Sequence, residues 1–403
     1  MEKAKEQKQN RKIHTISLSL TKLGDGLVDP KLVLAWLLTY LGSGAGFVGF
    51  LVPVREAGAL LPQLFTAVRL RRYAIRKWWW VVGSLIQGLA VLGVAVSALT
   101  LEGNIAGLAI VVLLAVFALA RSICSVSYKD VLGKTVSKEV RGTVTGTASS
   151  IAASGVLSFG LALWFQWLSE PALIIGALFL ASVLWVMAAI QFVSLREDPS
   201  EIKEISGGQA VGLYLDYLKN DAELRKFIYV RALLTATAIA PPFLILLAQN
   251  EAGTILSQLG VLVIASSFST FISGRIWGKL SDRSTSAVLT VAGLVGGLTL
   301  LLTIITTNLN LFVTSWFLPL ILFILMTSYQ GVRIARSIHL VNLATEDTRA
   351  AYTALSNTII GIVLLGTGLF GVLAQFTSLN LVVGLLATMS LFGGLLASRL
   401  INP

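Results

Sequence analysis

From Trp78 to the C-terminus the chain alternates long apolar runs with short polar segments. Runs over 78–100, 105–130, 143–166, 171–194, 225–249, 253–276, 286–306, 311–337, 350–374 and 378–399 each supply the roughly 20 mainly apolar residues that a membrane-crossing helix needs. The beginning is less regular. Hydropathy alone starts a first run at Leu32, after Asp25, Asp29 and Lys31, but Leu32 to Val68 holds only 37 residues, too few for two spans and a turn.

An internal repeat resolves the start. Setting Asp29-Pro30-Lys31-Leu32 against Ala240-Pro241-Pro242-Phe243 places Val48-Gly49-Phe50-Leu51 on Leu259-Gly260-Val261-Leu262, an offset of 211. Ser137-Lys138-Glu139-Val140-Arg141 matches Thr345-Glu346-Asp347-Thr348-Arg349 at an offset of 208. Two copies of a six-span unit follow. The first span then covers 14–41, with Pro30 inside it, and the second covers 46–69, giving twelve. The expected fold is an all-α polytopic membrane protein of two pseudo-symmetric six-helix bundles. A tail at 1–13 precedes a first bundle at 14–194, a linker at 195–224 and a second bundle at 225–403. In the linker, Val211, Tyr214, Leu215 and Leu218 recur at helical spacing and predict an amphipathic helix on the membrane surface.

Composition agrees. Hydrophobic residues make up 55% of the 403 and charged residues 13%, against about a quarter charged in soluble domains. Mean hydropathy is +0.82. The net charge of +11 lies in the segments between spans rather than on one soluble face, which excludes a nucleic-acid partner and leaves the lipid bilayer. With the N-terminus inside, the loops near 42–45, 101–104, 167–170, 250–252, 307–310 and 375–377 face outward, and none contains Lys or Arg. Both termini are therefore expected in the cytoplasm, in a bacterial inner membrane. A single cysteine, Cys124, excludes an internal disulfide, and two histidines, His14 and His339, make no metal site. Neither a cofactor nor a nucleotide-binding Gly-rich loop is expected, and no nucleophile–base pair suggests an enzyme.

Charges inside spans are costly, about 2.5–3.5 kcal/mol each on insertion scales, so they mark candidate sites. Lys22, Asp25 and Asp29 share one helical face, with Lys31 turned away. Arg55 and Glu56 lie at a similar depth in the second span, which allows Asp29–Arg55 or Lys31–Glu56 pairing. Arg121 in the fourth span matches Asp25 in depth. Arg231 in the seventh span either snorkels to the surface or joins the site, and Arg333 and Arg336 read as interfacial. The candidate substrate and proton-coupling set is Asp25, Asp29, Lys31, Arg55, Glu56, Arg121 and Arg231. Its excess of cations favours an anionic solute. Trp78, Trp79 and Trp80 read as interfacial anchors.

The stretch Gly274–Ser286 resembles half of the signature loop of the major facilitator superfamily of transporters, with Gly278, Leu280, Asp282 and Arg283 on its pattern. The matching stretch of the first half lacks the Gly and Asp but has Arg76 and Lys77 where the family's basic pair belongs. Residues 137–146 look like the family's turn into the fifth helix, and Arg121 matches the arginine of many proton-coupled members. The resemblance implies a cytoplasmic gate of Gly278, Asp282, Arg283, Arg141, Gly142, Arg349, Arg76 and Lys77, in which Asp282 meets the Arg141–Thr143 helix start in the outward-facing state. It further implies a monomeric secondary transporter of a small solute, working by alternating access and coupled to protons. Gly155 and Gly160 lack the proline typical of the family's drug–proton antiporters. The alternatives are a drug or metabolite efflux pump, and a non-transporting protein of the same fold that binds or delivers a hydrophobic partner.

Overall fold

The structure, a computed structural model, describes residues 2–70, 72–165, 169–199, 216–252, 259–309, 316–344 and 348–401. The described residues form helices and no strands. The first half comprises α1 (Glu2–Leu27), α2 (Val33–Tyr40), α3 (Ala45–Leu60), α4 (Gln63–Leu70), α5 (Lys77–Thr100), α6 (Gly103–Thr135), α7 (Lys138–Trp164) and α8 (Glu170–Val193). The second comprises α9 (Ala222–Leu234), α10 (Ala236–Ala252), α11 (Leu259–Arg283), α12 (Thr285–Asn308), α13 (Phe317–Leu343), α14 (Arg349–Thr367), α15 (Leu369–Phe376) and α16 (Leu379–Ala397). Ten stretches are long and apolar enough to cross a membrane. The pairs α1/α2 and α3/α4 supply the first two spans, so the protein is an all-α polytopic membrane protein of twelve spans.

Four spans are broken, and the breaks have local causes. Pro30 interrupts the first between α1 and α2, where it can neither donate a backbone bond nor continue the turn. In the seventh span the break falls at Thr235, six residues before the Pro241 that the repeat aligns with Pro30. Each proline there removes the bond to the carbonyl four residues back, so the disturbance lies on its N-terminal side. The Thr235 hydroxyl donates to Ala232 O (2.6 Å) and the Thr237 hydroxyl to Leu234 O (2.9 Å).

The repeat is repeated in packing. In the first half α5 packs between α6 and α8, α1 against α8, and α3 against α6; in the second, α12 packs between α13 and α16, α9 and α10 against α16, and α11 against α13. Each second-half contact matches a first-half contact six spans earlier. The halves meet along two seams, α7 with α11, and α3 with α14 and α15. Both seams close at the end of the bundle opposite the chain termini. A Cβ added to Gly49 would lie 2.4 Å from Gly371 Cα, and one added to Gly260 would lie 2.5 Å from Trp164 N. Only glycine permits these approaches. At the terminal end the seams differ. The α3/α14 side is held as far as Gln63, whose Oε1 accepts from Asn357 Nδ2 at 3.3 Å. On the α7/α11 side, Cβ atoms added to Gly146, Gly274 or Gly278 would meet nothing within 4 Å.

Three expectations are corrected. The signature stretch through Arg283 is not a turn but the last turns of α11, and only Ser284 interrupts the chain, capping α12 by accepting from Ala287 N at 3.1 Å. Of the three tryptophans, Trp80 is an interior residue, its ring 4.0 Å from that of Phe192, whereas Trp78 is half exposed. Helix α1 starts at Glu2, well before the expected span, and Asn10 joins it to the segment after α8. Asn10 Nδ2 donates to Arg196 O (2.9 Å) and Asn10 Oδ1 accepts from Arg196 N (3.2 Å). The expected linker helix lies largely at 200–215, outside the described residues. The two histidines are buried; His14 Nε2 is 2.7 Å from Thr135 Oγ1 and His339 Nδ1 is 2.8 Å from Thr285 Oγ1.

Candidate functional site

The break in the first span organises the site. Asp29 Oδ1 accepts from Lys31 N (2.7 Å) and Leu32 N (3.2 Å), while Asp29 O accepts from Leu34 N (3.0 Å). These bonds satisfy backbone donors that the interruption leaves open at the start of α2. They also turn Lys31 toward the second half. Its Nζ stands 3.2 Å from the centroid of the Tyr329 ring on α13, and the residue is 6% exposed. A cation held over a ring face is stabilised by the ring quadrupole, more so when desolvated.

One helical turn below the break, Asp25 is shared by two arginines. Arg55 of α3 approaches Oδ1 at 3.1 Å and Arg121 of α6 contacts Oδ2. The depth-matched Asp25–Arg121 pair is present, and Arg55 joins it. Neither Asp29–Arg55 nor Lys31–Glu56 pairing forms. Asp29 has turned to the backbone, and Asp25 on unbroken α1 takes Arg55 instead. Among the described residues, Glu56 has no cationic nitrogen within 4.0 Å. Lys22 donates to Ser149 Oγ of α7.

Arg231 does not snorkel. It is 6% exposed, and donates through Nη1 to Ser356 Oγ (2.7 Å) and through Nη2 to Asn357 Oδ1 (2.9 Å) of α14. Its Nε is buried without a partner, and no described carboxylate lies within 4.0 Å. Since Asn357 also bonds Gln63, the arginine is tied through one side chain to the opposite half.

Of the two arginines read as interfacial, Arg333 is exposed and Arg336 half-buried. They follow Tyr329 on α13 at spacings of four and seven, one helical face. Both lie within Coulombic reach of Glu56, Arg333 also of Lys22, and Arg336 also of Arg231. The spacing was legible in the sequence and puts an aromatic and two arginines on one face of the helix.

The expected gate residues separate into two groups. Arg76 and Lys77 belong to a cluster within the first half. Arg76 Nη1 bonds Asp130 (2.6 Å), and Lys134 bonds both Asp130 (2.6 Å) and Glu197 (3.1 Å). The Glu197 side chain is fully buried and accepts from the backbone N of Arg76 (3.0 Å) and Lys77 (2.7 Å), at the N-terminus of α5. A carboxylate there meets both unpaired donors and the positive end of the helix dipole. On the other seam, Arg141 donates to Val136 O (2.9 Å) and Gly133 O (2.5 Å) of its own half, and Asp282 is exposed. No ion pair joins Asp282 to Arg141 among the described residues. Gly278 and Arg283 lie in the final turns of α11; Gly142 and Arg349 lie in α7 and α14, and their side chains are outside the description.

No protein-family model matches the chain, and no curated protein sequence matches it. Solved structures do match. A mutant of the nucleoside transporter NupG superposes with a TM-score of 0.73 over 98% of this chain and 100% of its own, at 14% identity. The D-xylose-proton symporter gives 0.73 over 98% of both chains at 9% identity. The chain has the major facilitator superfamily fold. A POT family transporter in complex with 5-aminolevulinic acid gives 0.71 over 96% of this chain and 94% of its own, at 10% identity. In the major facilitator fold as this chain builds it, the Asp25 clamp lies in one half, Arg231 in the other, and Lys31 with Tyr329 across the boundary.

Proposed function

We propose that the protein is a secondary transporter moving a small anionic solute across the cytoplasmic membrane by alternating access, coupled to protons. The observation that carries this reading is the charged interior shared by both halves, where Lys31 of one rests on Tyr329 of the other. Buried charges cost folding energy. A scaffold for a hydrophobic partner has no use for them, whereas a transporter needs groups whose partners change with its state. The two bodies would be residues 14–194 and 225–403, joined through 195–224, with both termini cytoplasmic. The present arrangement, closed at the end opposite the termini, then faces inward. The solutes of the NupG, D-xylose and POT transporters belong to those proteins, but their shared fold supports a central site between the halves.

Glu56 is the proton carrier in this reading. Asp25 is occupied by two arginines and Asp29 by backbone amides, which leaves Glu56 as the carboxylate of the set without an ion pair. In the opposite state the α7/α11 seam closes at the terminal end. Gly146, Gly274 and Gly278 admit that approach, and Asp282 reaches the Arg141–Thr143 helix start. The test is flux into proteoliposomes under an imposed pH gradient, with carboxylates, phosphate esters, nucleosides and sugars as solutes. Gradient-driven uptake of a carboxylate or a phosphate ester, lost in Glu56→Gln, is expected. No uptake of any of them by protein that melts cooperatively in the same lipid sinks the reading.

A further inference from the structure

The interior site holds more positive charge than its own acids can balance. Arg231 is buried with an unpartnered Nε and, among the described residues, no carboxylate within 4.0 Å. Lys31, equally buried, has an aromatic face where a counter-ion would be expected. Arg333 and Arg336 extend the face of α13 that starts at Tyr329, and their charges act on Glu56 from the second half as those of Lys31 and Arg55 do from the first. The charges of Lys31, Arg55, Arg333 and Arg336 all act on Glu56, although among the described residues none stands within ion-pair distance of it. Arg55 already divides its charge with Asp25. Buried cations without a counter-charge, here Lys31 and Arg231, are costly, so such a cluster persists where something else supplies negative charge.

Resting on the transporter reading above, we infer that the site takes an anion with two or more negative charges, a polycarboxylate or a phosphate. It is bound between Lys31 and Arg55 of the first half and Arg231, Arg333 and Arg336 of the second, and Glu56 is the built-in anion with which it competes. Guanidinium groups suit this ligand because their forked donors match carboxylate and phosphate oxygens in pairs. A single charge would leave most of the cluster unbalanced. A ligand with charges at both ends touches both halves, and only interactions that differ between states can drive the change of state. Arg333, the most exposed of the set, is a specificity-determining residue at the open side of the site.

The test is thermal unfolding of the purified full-length protein in detergent at constant ionic strength, titrated with pyrophosphate, citrate, inorganic phosphate, acetate and xylose. Pyrophosphate or citrate should stabilise saturably, and acetate and xylose should not. Arg333→Gln and Arg336→Gln should each weaken that binding about tenfold, and Glu56→Gln should tighten it about tenfold. Arg333 is exposed, so its variant tests the site without disturbing the core. Stabilisation by acetate or xylose equal to that by the multivalent probes overturns the inference. So does the absence of any stabilisation, or affinity unchanged in both arginine variants. Flux separates the two readings: multivalent binding without transport leaves the anion site standing and removes the transporter, while uptake of a monocarboxylate without multivalent binding does the reverse.

Discussion

Lys31 of the first span lies 3.2 Å above the ring of Tyr329 in the tenth, and this contact joins the two halves of the molecule at the level of the charged interior. Its partner is a ring rather than a carboxylate, so the hydroxyl of Tyr329 is not what holds the lysine. Tyr329→Phe is expected to melt within a degree or so of the parent, since the ring face remains. Tyr329→Leu forfeits the cation–ring attraction, about 2 kcal/mol at a desolvated site, and melts lower. Equal melting temperatures for the Leu and Phe variants would show that the ring contact contributes nothing.

Asp25 balances Arg55 and Arg121 together. Asp25→Asn leaves two guanidinium groups facing each other without a counter-charge. All three side chains retain some exposure, so a loss of about 2–3 kcal/mol is expected, below the range for fully buried pairs. Adding Arg55→Gln should recover part of it, read as positive coupling in a double-mutant cycle of melting temperatures. Additive losses would contradict the shared clamp.

Glu197 ties the start of α5 to Lys134 near the end of α6. Glu197→Gln keeps the shape but removes the charge that meets both helix donors and the lysine. A loss of about 1.5–3 kcal/mol follows from hydrogen bonds to a charged group. Proton–deuterium exchange should rise at residues 76–80 in particular, and exchange unchanged there would rule out the capping role.

Gly49 and Gly371 close the seam at the end opposite the termini. Gly49→Ala places a methyl group 2.4 Å from Gly371 Cα, backbone that cannot rotate aside. The expected result is separation of α3 from α15. Spin labels replacing the exposed Tyr40 and Phe376 should report a longer mean distance in Gly49→Ala than in the parent. An unchanged distance would mean that the seam yields by local adjustment.

Much of the fold could be read from the sequence because the membrane imposes a length on every apolar run, and the repeat supplied the two spans that hydropathy could not place. Asp25 with Arg121 was legible for the same reason, since depth along a span is a one-dimensional quantity. Arg55 as the second partner was not, because which carboxylate it reaches depends on where α1 breaks. That break spends Asp29 on the backbone and swings Lys31 across to Tyr329. Cross-half contacts such as Arg231 with Asn357 and Gln63 depend on how the bundles dock, which no run of hydropathy encodes. The shared face of Tyr329, Arg333 and Arg336 was encoded, in their spacing.

Asn10 and Arg196 exchange two hydrogen bonds, and α1 runs unbroken from there to Leu27. Fifteen residues of helix separate Asn10 from Asp25, a stiff rod of about 22 Å. The chain that leaves Arg196 leads into the connection between the halves. A pull or a bound protein at Arg196 would therefore act as a lever on the helix that carries Asp25, with the Asn10 bonds as its point of attachment.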